Sequence, residues 1–320
     1  MSDASPKISV IMTYYNEHAF IAEAFVSVAA QTALDAIVEV IVVDDGSEPE
    51  SAAKLDCIAG EYPMVKVLHI RNRGLSGARN VAFEHARAPF VAILDGDDVW
   101  HREKIALQIA QIARSGDRVG LWYGDFRQFQ LAPAQSIAAR VRKFSESDED
   151  TLPRFFVCDG PIIPSTVILR TAAFKAVGGF NEQIALFEDQ DMWLRIAAGG
   201  WKFQYVPGAM LYKRFHEGSL AQSRFEKWEA AFFRLEQEWT ARRPDLLPYL
   251  GKRRSWRYAR LANTALLRGA STAGWKYLAR ACRANPFNPR VYAYCALAMI
   301  PARARSGLVD SFKRFLRGVG

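Results

Sequence analysis

The sequence predicts an α/β protein: a mostly parallel central sheet covered by helices in residues 1–220, then a basic helical region in 221–320. Three observations carry this. Short apolar runs alternate with helix-like stretches through the first hundred residues, the pattern of βαβ units whose strands are covered on both faces. Three of those runs end in polar clusters, and parallel packing brings such ends to one edge, where open α/β sheets bind ligands. The charge then changes sign along the chain. Residues Ala221 to Gly320 hold 20 Lys+Arg and 6 Asp+Glu, a net of +14, while the preceding part nets −6. The change marks a boundary near residue 220, and its sign favours an anionic partner for the second part.

The elements follow in order. Ile8 to Thr13 is a buried strand, and Ala-rich His18 to Gln31 a helix. Val38 to Val43 is the second strand, Ser51 to Ala59 a helix, Val65 to Ile70 the third strand, and Gly77 to Arg87 a helix. Pro89 to Leu94 is the fourth strand. Between Arg102 and Arg114, Ile105, Ile109 and Ile112 keep the spacing of a core-facing helix. Val119 to Tyr123 and Ser165 to Arg170 read as strands, and polar Gln135 to Asp150 as a mobile loop. Glu188 to Ala198 is a helix opened by acids; Trp201 to Val206 and Met210 to His216 read as an antiparallel pair of strands. Beyond Ser219, Phe225, Trp228, Phe232, Leu235 and Trp239 form an apolar helical stripe, read as core packing. Helices at Ser255–Arg268 and Thr272–Ala284 form a hairpin-like pair, followed by Val291–Ile300 and a basic amphipathic segment, Phe312 to Arg317.

Composition excludes several classes. The chain has 320 residues, half of them apolar and 24% charged, which rules out a disordered or fibrous protein. Met1 to Lys7 has no basic region before an apolar core, so no signal peptide is expected there. The run Val291 to Ile300 is ten residues, too short for a membrane span, which needs about 20. Cys57, Cys158, Cys282 and Cys295 are scattered, which excludes a zinc ribbon and makes a reducing, cytoplasmic setting the expectation.

The chemistry centres on Asp95-Gly96-Asp97-Asp98, three carboxylates within four residues just past a strand. A solvated turn tolerates such a cluster but needs only one Asp; a hard divalent cation offsets the repulsion. Asp44-Asp45-Gly46-Ser47 repeats the pattern at another strand end, with hydrogen bonding to a base or ribose weighed against a helix cap and turn. Arg71 to Asn80 is a glycine-bearing loop running into a helix, suited to a diphosphate, with Arg79 adding charge and Ser76 as a plain N-cap the alternative. Glu188 and Asp189 open a helix, where its dipole favours carboxylates in any case. Asp191 and Arg195, four apart, read as a surface pair. His216 ends a strand, where a metal-ligand role is weighed against a structural one.

In order, Val10–Glu17, Val42–Ser47, Asn72–Asn80, Asp95–Asp98, Gly178–Glu182 and Glu188–Asp189 resemble the motifs of the inverting glycosyltransferase family 2, over roughly residues 7 to 220. The resemblance implies a GT-A fold, a Rossmann-like nucleotide-binding domain. It also implies transfer of a sugar from a nucleoside-diphosphate sugar, UDP being the commonest, to a hydroxyl of a glycan or lipid-linked acceptor. By the same resemblance, Thr13, Tyr15 and Glu17 line the nucleotide pocket, Asp45 with Asp44 beside it holds the base, and Arg79 approaches the nucleotide. Asp97 and Asp98 meet the ribose and a diphosphate bound to Mn2+ or Mg2+, with Asp95 supporting them. Asp189 is the expected general base and His216 an additional metal contact. One displacement by the deprotonated acceptor then inverts the anomeric centre.

Two rivals are a sugar nucleotidyltransferase, whose Gly-rich basic loop after the first strand is replaced here by Tyr14-Tyr15-Asn16-Glu17, and a non-catalytic binding protein that kept the fold. For the basic tail, peripheral contact with the anionic inner face of a membrane is weighed against a helix packed on its own domain, and nucleic acid is not expected.

Overall fold

The computed structural model describes residues 6–16, 18–130, 132–138, 141, 143–158, 162–215, 225–267 and 269–299. Glu17, His216 and the segment 312–317 lie outside the described residues. Packing divides the chain into two units, residues 1–151 with 160–235, and residues 152–159 with 236–320. The charge break near residue 220 therefore precedes the division in packing.

In the first half the elements alternate as β1 (Ile8–Tyr14), α1 (His18–Ala29), β2 (Ile37–Asp44), α2 (Pro49–Ala59), β3 (Val65–His69), α3 (Gly74–His85) and β4 (Phe90–Asp95). Successive residues along β1, β2 and β4 are buried, for example Val10, Ile11 and Met12, or Val91 to Leu94. Burial of both strand faces is what near-continuous Val/Ile/Leu runs achieve in a covered parallel sheet. The chain continues through β5 (Val99–Trp100), α4 (Lys104–Ile112), β6 (Val119–Phe129), β7 (Ile137–Ala138), α5 (Thr151–Cys158), β8 (Val167–Arg170) and α6 (Thr171–Ala176). It ends with α7 (Glu188–Ala198), β9 (Lys202–Arg214), α8 (Phe225–Arg242), α9 (Leu250–Leu267), α10 (Ser271–Ala284) and α11 (Pro289–Met299).

Among the described residues the strands form one nine-stranded sheet, ordered β3-β2-β1-β4-β8-β6-β9-β5 with β7 beside β6. β1 to β4, β6 and β9 run one way; β5, β7 and β8 run against them. The sheet is thus mostly parallel, as the sequence predicts. Apolar periodicity also places α4 correctly, with Ile105, Ile109 and Ile112 buried. The same face buries two polar residues. Lys104 Nζ donates to Gln108 Oε1 (2.7 Å) over the Trp100 ring, and burial holds the Lys104 amine well below its usual range.

Three expectations are corrected. The two strands expected over 201–216 are one strand, β9, whose two halves both run parallel to β6. Its register shifts between Val206, opposite Gly124, and Leu211, opposite Phe126. Pro207 has no N–H for the ladder and Gly208 takes φ of +75°, so the strand bulges there without reversing. The expected mobile loop 135–150 is partly docked: Ile137–Ala138 pairs with β6, and Phe144 is buried with its N–H donating to Tyr123 Oη (2.9 Å). One aromatic anchors a run whose charged neighbours read as solvent-exposed. A helical turn at Pro164–Thr166 replaces the start of the strand expected from Ser165, as Pro at a first helical position favours.

In the second unit, α9, α10 and α11 share a small core of Ala259, Ala262, Leu266, Leu278, Ala281, Val291 and Leu297. No helix among the described residues is long and apolar enough to cross a membrane.

Gly46 turns the chain just past the end of β2. Its φ is +77°, and a Cβ there would lie 2.8 Å from Asn72 N, so only glycine lets the β2 loop seat against the β3–α3 loop. Gly46→Ala is expected to cost about 1–3 kcal/mol in urea denaturation. Gly116→Ala, at a site with ordinary φ and open space, should leave the midpoint unchanged.

Candidate active site

The parallel register sets the three polar clusters side by side. Thr13 pairs with Asp95, and Tyr14 with Asp44, so β1 stands between the two acid-bearing strand ends. Thr13 is half-buried and Tyr15 is 54% exposed at the same edge. The loops brace one another: Asn16 N–H donates to Ser47 Oγ (2.9 Å) and Glu48 N–H to Asn16 Oδ1 (2.8 Å). Asp44 is engaged on both oxygens by the protein, accepting from Ser47 N–H (3.1 Å) and paired with His69 Nδ1 (2.8 Å). That hydrogen bond raises the His69 pKa. Buried Asp45 accepts from Arg73 N–H (2.7 Å), which fixes its carboxylate above the first turn of α3.

The loop Arg71 to Asn80 proves to be mostly helix. Ser76 lies buried inside α3 with no hydrogen-bond partner for its hydroxyl, so it is not an N-cap. Asn80 instead reads the Gly178–Glu182 turn: its Oδ1 accepts from Phe180 N–H (2.8 Å) and its Nδ2 donates to Phe180 O (2.9 Å). Arg73 Nη2 adds a bond to Glu182 Oε1 (2.7 Å). The Asp191–Arg195 pair, expected on the surface, has Asp191 buried and Arg195 half-buried; Arg195 also donates to the carbonyl of Val177 (2.7 Å) and so fastens α7 to this turn.

Arg79 is 1% exposed and bridges two distant segments. Its Nη2 donates to Asp95 Oδ1 (2.8 Å) at the end of β4, and its Nη1 to Glu188 Oε1 (3.0 Å) at the start of α7. Burial works against its charge, yet Asp95 and Glu188 more than offset this and hold its proton tightly. Burial likewise opposes the Asp95 charge, and Arg79 and Lys213 overcome it, holding that carboxyl below its ordinary range.

Asp97 and Asp98 part company. Asp97 is half-buried at the edge, with its carbonyl accepting from Arg214 Nε (3.1 Å). Asp98 is fully buried: Oδ1 accepts from Arg214 N–H (3.0 Å), while Oδ2 lies 3.7 Å from Lys213 Nζ and has no hydrogen-bond partner. Burial, with Asp97 and Asp95 nearby, pushes Asp98 up to about 7 against the pull of Lys213. Arg214 completes the clasp by pairing with Glu23 and lying 4.5 Å over the Phe20 and Phe129 rings.

Asp189 begins α7, next to Glu188. Burial and the Glu188 charge push it up to about 7, with Arg79 pulling the other way. The residue before this pair, Phe187, has φ of 67°, a conformation that non-glycine residues rarely adopt. It is buried and held edge-on by Trp228 (4.9 Å) and Phe232 (6.1 Å) of the apolar stripe.

Thr13, Tyr15, Asp44, Asp45, Asp95, Asp97 and Asp98 therefore lie at strand ends and in the loops that follow them, at one sheet edge, and Arg79 ties Asp95 to the helix start carrying Asp189. Sequence reasoning missed Lys213, Arg214, Glu23 and Ser165, whose Oγ accepts from Asp95 N–H (3.1 Å). Lys213 and Arg214 stand three and two residues before His216 in the run singled out for its histidine.

The arrangement can be set beside known proteins. The profile of glycosyl transferase family 2 matches residues 9–165, and that of glycosyl transferase family group 2 matches residues 90–303. The chain belongs to glycosyl transferase family 2. The uncharacterised glycosyltransferase alr2836 of Nostoc is 36% identical over 118 residues, 37% of this chain and 36% of that protein. The uncharacterised glycosyltransferase EpsJ of Bacillus subtilis is 37% identical over 93 residues, 29% of this chain and 26% of EpsJ. The succinoglycan biosynthesis protein ExoO of Rhizobium meliloti is 27% identical over 235 residues, 69% of this chain and 64% of ExoO. This chain thus spans only part of each relative's length. The crystal structure of S. aureus TarS shares the fold, with a TM-score of 0.57 at 20% identity over 93% of this chain and 51% of TarS.

The bridge in this family 2 chain is testable. Arg79→Met leaves Asp95 and Glu188 without their shared cation and is expected to cost about 3–5 kcal/mol by urea denaturation. Arg79→Lys should recover little, because a single ammonium does not reproduce a two-pronged guanidinium contact.

Proposed function

We propose that this chain transfers a sugar, with inversion, from a nucleoside-diphosphate sugar to an acceptor hydroxyl in polysaccharide or lipid-linked glycoconjugate synthesis, UDP-sugars being the first donors to test. The observation that supports this most is the pairing of two carboxylate environments through Arg79: Asp95 held ionised at the sheet edge, and Asp189 raised to about 7 at the start of α7. Separated carboxyl pKa values on one edge mark distinct roles. Family membership supports the reaction class, and the place of ExoO in succinoglycan biosynthesis supports a polysaccharide setting.

In this reading Thr13, Tyr15 and Glu17 border the nucleotide and Asp45 accepts from the base, with Asp44 behind it fixing the turn. Asp189 takes the proton from the acceptor hydroxyl as the oxygen attacks the anomeric carbon, and the bond to the diphosphate breaks. A carboxyl near 7 suits that step, since it is part ionised at neutral pH and its conjugate acid holds the proton well.

A divalent cation fits the residues present. Asp97 and Asp95 offer hard oxygen ligands at the edge, the buried Asp98 Oδ2 lacks a hydrogen-bond donor, and Mg2+ takes one or two carboxylates together with substrate phosphates. Among the described residues no group of three or more His, Cys, Asp or Glu is placed to hold a metal. Asp97 and Asp98, completed by the donor's phosphates, would hold Mn2+ or Mg2+; His216 stays a candidate from the sequence. When bound, the ion supplies positive charge to the departing diphosphate.

Asp189→Asn should lower turnover of the sugar nucleotide by about 10²–10⁴-fold while preserving donor affinity. In the unchanged protein kcat/KM should rise with pH through about 7, as Asp189 loses its proton, then level off. Retained turnover in Asp189→Asn overturns the assignment.

A further inference from the structure

From Leu246 to Val309 the sequence contains no Asp or Glu and twelve Lys or Arg. The described part of this run is α9 to α11, and its side chains divide into two sets. Arg253 and Arg257 are buried, Arg254 pairs with Glu236 (2.7 Å), and Arg290 stacks on Trp256 (3.9 Å). These cations serve the unit's own packing. A second set faces outward. Lys276, Arg280 and Arg283 share one exposed face of α10, opposite Gly274, Leu278 and Ala281, which turn into the core; Arg280 also lies over the Tyr277 (5.7 Å) and Tyr258 (5.8 Å) rings.

Apolar side chains accompany these cations. Trp275 is 43% exposed on the flank of α10, about a quarter turn from Lys276. At the corner after α10, Phe287 is 89% exposed, and Tyr292 beside it is 57% exposed with its hydroxyl donating to Pro286 O (2.6 Å). Tyr292, Ala296 and Met299 continue the exposed side of α11, Met299 at 72%. The core of α9 to α11 closes without any of them.

We propose that this face of the helical unit, Lys276, Arg280 and Arg283 with Trp275, Phe287 and Tyr292, docks on an anionic lipid surface. The charge has one sign, which matches phosphate headgroups, and the aromatic and Met tips suit the headgroup–acyl boundary. Fully exposed Phe and Met gain little from a purely polyanionic partner such as nucleic acid, whose backbone is met by the cations alone. Segment 312–317, for which the sequence weighs membrane contact against packing on its own domain, lies outside the described residues and has no part in this inference. This inference is independent of the proposed donor.

The test is flotation of the full chain with vesicles of phosphatidylcholine, with and without phosphatidylglycerol, at physiological salt. Binding is expected only with phosphatidylglycerol. Phe287→Ser with Tyr292→Ser should weaken it about tenfold through lost apolar insertion. Lys276→Glu with Arg283→Glu should reduce it to the level of neutral vesicles. All four positions are exposed, so circular dichroism should confirm unchanged folding. The proposal is overturned if the unchanged chain fails to float with anionic vesicles. It is equally overturned if either double variant binds them as before, or if the chain prefers duplex DNA to vesicles and Phe287→Ser does not alter that preference.

Discussion

The candidate site depends on one buried guanidinium. Arg79 reaches Asp95, 16 residues on, and Glu188, 109 residues on, from a single turn of α3. A buried arginine is tolerable only because both prongs meet carboxylates, and each carboxylate is tolerable only because the arginine is there. The consequence is electrostatic as well as geometric. Asp95 lies in direct contact with the cation and stays ionised; Asp189, beside Glu188 and without its own contact to the guanidinium, rises. Arg79 thus holds Asp95 below its ordinary range, while burial and Glu188 carry Asp189 above it against the pull of the same cation, and a site with carboxyls so separated can hold charge at one point and move a proton at another.

A second clasp works from the far side. Asp98 is sealed under β9, where the Arg214 backbone N–H meets one oxygen and Lys213 faces the other. The Arg214 side chain then holds the Asp97 carbonyl. With Asp95 fastened by Arg79 and Asp98 by β9, the acid loop is fixed at both ends, with half-buried Asp97 between them. Three neighbouring acids need not act alike.

Legibility differed between the layers of the structure. The parallel half of the sheet was plain because its strands are buried on both faces and so are almost wholly apolar, as in Val40 to Val43. The edge clusters followed, since parallel strands leave their carboxyl ends together. What escaped was contact across long sequence distances. Nothing local distinguishes Arg79, which is spent on Asp95 and Glu188, from an arginine facing a ligand, or marks Asn80 as the partner of the Gly178–Glu182 turn. Asp191 and Arg195 have ideal surface spacing, yet Asp191 is buried and Arg195 half-buried because Arg195 is needed at the Val177 carbonyl. Pro207-Gly208 carries the composition of a hairpin turn but makes a bulge, because both flanking segments find the same neighbour, β6.

The central claim is that this edge holds a nucleoside-diphosphate donor through a cation site to which half-buried Asp97 contributes. Calorimetric titration of UDP, GDP, dTDP and CMP into the chain, each with and without Mn2+ or Mg2+, tests it most directly. The account predicts that one diphosphate binds, that the cation strengthens binding, and that Asp97→Ala removes the increment due to the cation while leaving the fold intact. Absence of binding by every nucleotide with either ion, or a metal increment undiminished in Asp97→Ala, would contradict it.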